Sequence, residues 1–174
     1  MSENFEQMLS GGHPNSLGKT LEVVEIVLCD KAKLENLYQT YFSSDEVVRL
    51  RTSNAIKRVC LQHPDWIYEY ADKLISEIFN INQPSTQWTI AILFRLMTKY
   101  LNQSQKFKAT EHFKSNLDTQ TDWIVINTTM ETLFEWSKGD HELTNWLIPR
   151  LKKFSTDSHK SISSRATKYL QKIN

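Results

Sequence analysis

The stretch Asp45-Glu46-Val47-Val48-Arg49-Leu50-Arg51-Thr52-Ser53-Asn54-Ala55-Ile56 decides how the rest of the chain is read. It opens on an acidic turn, continues with Val-Arg, passes through small residues and ends on an apolar pair. Val48, Thr52, Ala55, Ile56 and Val59 fall on one face of a helix. Asp45 stands where an N-cap is needed, because its carboxylate accepts from amides that the first turn leaves unpaired.

Working outward, the same pattern recurs. Val48 is matched by Thr86, Val125 and Ile162, at spacings of 38, 39 and 37 residues. Eight residues after each anchor stand Ile56, Phe94, Leu133 and Leu170, all apolar. A period of about 40 residues is what two helices and two turns require. Breaks fall between the anchors. His63-Pro64-Asp65 ends one helix and offers Asp65 as the cap of a long one over Trp66–Phe79. Asn82-Gln83-Pro84-Ser85 breaks the chain again before an apolar helix over Trp88–Leu101. Gly139 stands where a helix C′ residue belongs. About eight helices in four pairs are expected after Ser16.

The 45–56 run resembles the second helix of a HEAT repeat. Leu143-Thr144-Asn145-Trp146-Leu147-Ile148-Pro149-Arg150-Leu151 resembles a first helix of that family, which often tolerates a proline. The resemblance covers Ser16 to Asn174 and is best over Leu34–Val59. It departs where Thr86 replaces the usual Val and where Gln87 and Ile126 replace the usual Arg. It implies an all-α fold, a right-handed α–α superhelix (solenoid) of about four to five HEAT-like helix pairs. Residues 16–174 would then form a single domain behind a flexible leader over 1–15. An irregular helical bundle of the same length is the competing architecture.

Composition agrees with helices. Glycine and proline number four each in 174 residues, too few for the tight turns of a β-sandwich or barrel. Hydrophobic residues make up 40%, enough for a packed core. A net charge of +1 supplies no global field toward DNA or a membrane. The leader lacks the basic and apolar regions of a signal peptide, and no apolar run approaches the ~18 residues of a membrane span. A soluble, cytoplasmic protein is expected. Cys29 and Cys60 each follow an apolar run and read as buried, reduced thiols.

Catalytic motifs are wanting in the sequence. It has no glycine-rich phosphate loop, no Cys-x-x-Cys, no His-Glu-x-x-His and no Gly-x-Ser-x-Gly, and its histidines are scattered singly. No catalytic residue, cofactor or metal ligand is assigned. Deoxyhypusine hydroxylases, which share HEAT-like folds, use several His-Glu dipeptides; here there is His141-Glu142 alone. HEAT-like alkylpurine DNA glycosylases use aromatic and acidic residues on a basic concave face, a role that Trp88, Trp123 and Asp122 would have to fill.

The resemblance places the second helices on the concave side. Residues three, six and ten after each anchor would then face outward. They are Arg51, Asn54 and Arg58; Thr89, Ile92 and Leu96; Thr128, Glu131 and Glu135; Arg165, Lys168 and Lys172. Such a surface reads basic, neutral-to-apolar, acidic, basic, and Glu131 and Glu135 interrupt any continuous phosphate groove. A mixed-sign face suits a protein or peptide partner. The expected contact residues are Arg51, Arg58, Trp88, Glu131, Glu135, Arg165, Lys168 and Lys172. The alternative is nucleic-acid binding or DNA repair through the basic C-terminal end, where Arg150, Lys152, Lys153, Lys160, Arg165, Lys168 and Lys172 face only Glu142 and Asp157. No membrane partner is expected.

Overall fold

Side-chain caps set most of the helix boundaries. The computed structural model describes residues 4–173; the first three residues of the expected leader, and Asn174, lie outside them. Among the described residues eleven α-helices follow one another: α1 (Phe5–Leu9), α2 (Thr20–Cys29), α3 (Leu34–Gln39), α4 (Glu46–Gln62), α5 (Pro64–Tyr68), α6 (Ala71–Ser76), α7 (Pro84–Leu96), α8 (Gln103–Thr119), α9 (Trp123–Ser137), α10 (His141–Phe154) and α11 (Lys160–Ile173). Short 3-10 turns cover Lys31–Lys33, Thr40–Phe42 and Ile78–Asn80, and no strand occurs among the described residues. Asp45 accepts from the Val47 amide, Asp122 from Ile124 and Val125, and Asp140 from Leu143. Gly139 takes φ +83° before that last cap, a conformation that a side chain would strain. Helix α10 runs on through Pro149, as the proline reading expects.

The helices lie in two rows. In the first, α4 packs against α2 and α7, and α9 packs against α7 and α11. Behind them α3 packs on α4, α5 on α4 and α7, α8 on α9, and α10 on α9 and α11. Hydrogen bonds tie neighbours in the first row. Arg49 Nε donates to Gln83 Oε1, Thr132 Oγ1 to the Ala91 carbonyl, Trp136 Nε1 to Thr98 Oγ1 and Asn127 Nδ2 to Ser161 Oγ. These partners are 34, 41, 38 and 34 residues apart, which echoes the period in the sequence. One continuous apolar core runs from Phe5 to Tyr169. Trp136 is buried within it, while Trp66, Tyr70 and Trp146 pack partly buried against it.

Several expectations are corrected. The helix expected over Trp66–Phe79 breaks at Glu69–Tyr70, where the Tyr70 ring turns in against Tyr38 with centroids 5.0 Å apart. Asp65 is not the cap; His63 precedes Pro64, which occupies the first helical turn, where its missing amide costs nothing. Pro84 likewise begins α7 rather than separating it from the preceding segment. Helix α8 starts at Gln103, four residues before Phe107, because Asn102 and Gln105 form a reciprocal capping box. Cys60 is buried, with its thiol pushed up to about 12 by burial, but Cys29 is exposed.

Part of the segment read as a leader contacts the domain. Asn4 caps α1, and Phe5 and Leu9 are buried in the core at 2% and 0% exposure. The loop that follows wraps the Arg51 guanidinium.

Candidate functional site

Burial singles out one surface. After the exposed Trp123 at its start, helix α9 is buried except along the stripe Ile124, Thr128, Glu131 and Glu135, spaced as one face of a helix demands. Helix α7 keeps solvent access along Trp88, Ile92, Arg95 and Leu96, and α4 along Leu50, Asn54, Lys57 and Leu61, with Arg58 at the edge. Because α4, α7 and α9 pack side by side, these stripes adjoin. Helix α11, last in the row, adds Ser161, Arg165 and Lys168. The result is one open face spanning four helices, with Leu50, Trp88, Ile92 and Leu96 as an apolar floor beside Lys57 and Arg58 on α4 and α7, and charged toward α9 and α11.

Glu131 is the electrostatic centre of the charged side. Its Oε2 is shared by Arg95 Nη1 from α7 and by Arg165 Nη1 from α11, the latter at 2.7 Å. Burial pushes the Glu131 carboxyl up, but the two guanidiniums outweigh it and hold the group below its ordinary value. Arg165 also lies 3.5 Å from the Tyr169 hydroxyl. Glu135 is exposed and pairs with Lys138 at 2.6 Å. The acidic patch expected on α9 is therefore neutralised in place. Arg95, which the sequence reading missed, does much of this; it falls one helical turn from Ile92 and two from Trp88, and only the α9 carboxylate reveals its role.

Of the expected contact residues, Arg51 is the clearest correction. It is 2% exposed and cannot face a partner. Its Nη1 donates to the carbonyls of Leu9 at 2.7 Å, Ser10 at 3.2 Å and Gly11 at 2.6 Å. Nη2 reaches the His13 carbonyl and Nε that of Ser16, both at 3.1 Å. A guanidinium fork suits such a ring of acceptors, whereas a lysine offers one point charge. Gly18, at φ +52°, lets the loop close: a Cβ there would lie 3.0 Å from Arg51 Cζ. Thr89, also expected to face outward, is buried at 1%.

The others do reach the surface. Trp88 is half-buried and lines a cleft of about 270 Å³ with Leu17, Leu50 and Asn54. Arg58 is half-buried, its Nε donating to Asn54 Oδ1 at 2.9 Å. Lys168 is exposed beside Glu131 and Arg165. Lys172 is exposed one turn further, in a separate hollow with Phe134 and Lys138. Lys57 and Leu50 belong to the face and were missed, for the α4 register was set about one residue off its open stripe.

A second polar cluster is internal. Gln87 donates to the Phe79 and Ile81 carbonyls, and its Oε1 lies 2.8 Å from His112 Nε2 and accepts from Asn116 Nδ2 at 2.9 Å. Phe79 stacks on the His112 ring with centroids 4.1 Å apart. Burial lowers the histidine to about 4, so it is neutral at pH 7. This cluster fastens the turn after α6 to α8. No described helix is long and apolar enough to cross a membrane. Comparison with protein-family models, curated proteins and solved structures returns no match.

Proposed function

We propose that the chain is a HEAT-like α–α superhelix of four to five pairs that works in the cytoplasm as a non-enzymatic scaffold, presenting its open second-helix face to a protein or peptide partner. The observation that carries this is the set of adjoining stripes: along their middles α4, α7 and α9 are buried except on these stripes. Helices held so closely on their other sides present a preorganised surface, which lowers the ordering cost of binding. The half-buried Trp88, Ile92 and Leu96 supply an apolar centre of the kind that anchors protein interfaces.

The neutralised acid removes one ground for preferring a protein to a nucleic acid. What favours a protein is the apolar centre, which offers phosphates nothing. In the basic C-terminal end, Arg150 is engaged by Asp118 at 2.7 and 2.8 Å and Arg165 by Glu131, so neither is offered freely to a phosphate. A peptide library selected on the wild-type chain and on I92E/L96E tests the reading. Sequences enriched on the wild type should lose at least about tenfold in affinity on the variant. Equal enrichment on both chains, or tight, steeply salt-dependent binding of duplex DNA instead, would count against it.

A further inference from the structure

The α4 and α7 half of the face has a chemistry of its own. Leu50, Trp88, Ile92 and Leu96 form its apolar floor, each half-buried. Lys57 and Arg58 stand beside that floor, also half-buried, and neither has a carboxylate partner among the described residues. Arg58 is bonded only to the neutral Asn54 amide. The Lys57 ammonium is held below its ordinary value by burial and then by the Arg58 charge. Two like charges thus sit together with nothing of opposite sign close enough to offset them. Lys99, in the turn after α7, has only the Tyr100 ring beneath its ammonium, at 4.8 Å.

Several other cations meet carboxylates. Arg95 and Arg165 share Glu131, Lys138 meets Glu135, Arg150 meets Asp118, and Lys31 and Lys73 meet Glu69 and Glu35. Holding a lysine and an arginine half-desolvated beside each other is unfavourable, and a partner carboxylate would relieve both the desolvation and the repulsion. Trp88, Ile92 and Leu96 recur at helical spacing, which matches the apolar stripe of a docking helix.

We infer that this half of the face takes an acidic amphipathic segment of a partner protein, with its apolar side chains on Trp88, Ile92 and Leu96 and its carboxylates on Lys57 and Arg58. The inference rests on the open-face reading above and adds the chemistry of the occupant. Apolar anchors alone accept many sequences; the unmatched cations select among them.

Fluorescence anisotropy with three labelled helical peptides tests it. The peptides share one leucine stripe and carry glutamate, glutamine or lysine at the other positions; a labelled single-stranded oligonucleotide is titrated alongside. The glutamate peptide should bind about tenfold tighter than the glutamine peptide, and the lysine peptide weakest. K57A/R58A should remove that tenfold preference while its thermal melt stays that of the wild type. K152E/K153E, on the exposed side of α10, should leave it intact. Equal binding of the glutamate and lysine peptides overturns the inference, as does loss of the preference in K152E/K153E but not in K57A/R58A. Tighter binding of the oligonucleotide, abolished by K57A/R58A, overturns it in favour of a nucleic acid. If all three peptides bind alike and I92E/L96E abolishes them, the acidic partner is rejected while the open-face reading stands.

Discussion

Replacing Arg51 by methionine should release the N-terminal segment. The methionine fills much of the same volume but donates to none of the five carbonyls that Arg51 gathers. Hydrogen bonds from a charged donor contribute about 1.5–3 kcal/mol each, but the loop carbonyls belong to exposed residues and water can replace most of them. Counting the Leu9 and Gly11 bonds as the ones water replaces least, and setting the cost of burying the guanidinium against them, the loss comes to about 3 kcal/mol. Against this the segment keeps the burial of Phe5 and Leu9, worth about 1.5–3 kcal/mol each. The two contributions are comparable, so R51M should open residues 4–18 locally before the domain unfolds. Hydrogen exchange at the Met8 and Leu9 amides should accelerate by roughly a hundredfold, the factor that about 3 kcal/mol implies. Limited proteolysis should cut between Ser10 and Gly18, while the α7 and α9 amides keep their protection. R51K should fall between the two, since one ammonium cannot reach every carbonyl. Unchanged exchange at Met8 and Leu9 in R51M would refute the view that Arg51 is what fastens the segment.

Other outcomes follow from the same contacts. E131Q leaves Arg95 and Arg165 facing each other across α9 and should cost about 1–2 kcal/mol in a urea melt, with E131Q/R165Q recovering part of it. Glu131 titrates below its ordinary value when folded, so the stability it lends is present above the unfolded carboxyl range and is lost as pH falls through the folded one; the wild type should lose more than E131Q there. His112 is depressed to about 4, so the unfolded chain binds the extra proton first. Its contribution should be present above about pH 6.5 and shrink down to about pH 4, by up to roughly 3 kcal/mol, and the pH dependence of H112Q should lack that part. Native protein should react with a thiol reagent at Cys29 and release Cys60 only on unfolding, in keeping with one exposed thiol and one buried.

How legible all this was depended on where burial is decided. The α9 stripe could be read from Val125 onward because nearly every other position of that helix is apolar or small, leaving Thr128, Glu131 and Glu135 as its only open places beyond the first turn. The Asp45 cap and the Gly139 turn are local chemistry and stood in the sequence; Asp122 and Asp140 cap their helices by the same chemistry. Arg51 did not, because what buries it lies about 35–42 residues upstream, and a helical wheel has no knowledge of a loop folding back. Its five acceptors are backbone carbonyls, which carry no side-chain signature. Arg95 was missed for a related reason: its meaning comes from Glu131 on the next inner helix. The helix starts at the prolines were read two to four residues late because Pro at the first helical turn and Pro just outside a helix look the same in a sequence until the amide pairing is known.

The most direct test of the account is site-specific photo-crosslinking of the chain in living cells. A benzophenone side chain is placed in turn at Ile92, Leu96 and Thr128 on the open face, and at Phe107 and Asn145 on the second row as controls. The account predicts discrete protein adducts from the three open-face positions, absent from the two controls and lost when K57A/R58A accompanies the probe at Leu96. Adducts that form equally from Phe107 and Asn145, or nucleic-acid adducts from Ile92 and Leu96, would contradict it.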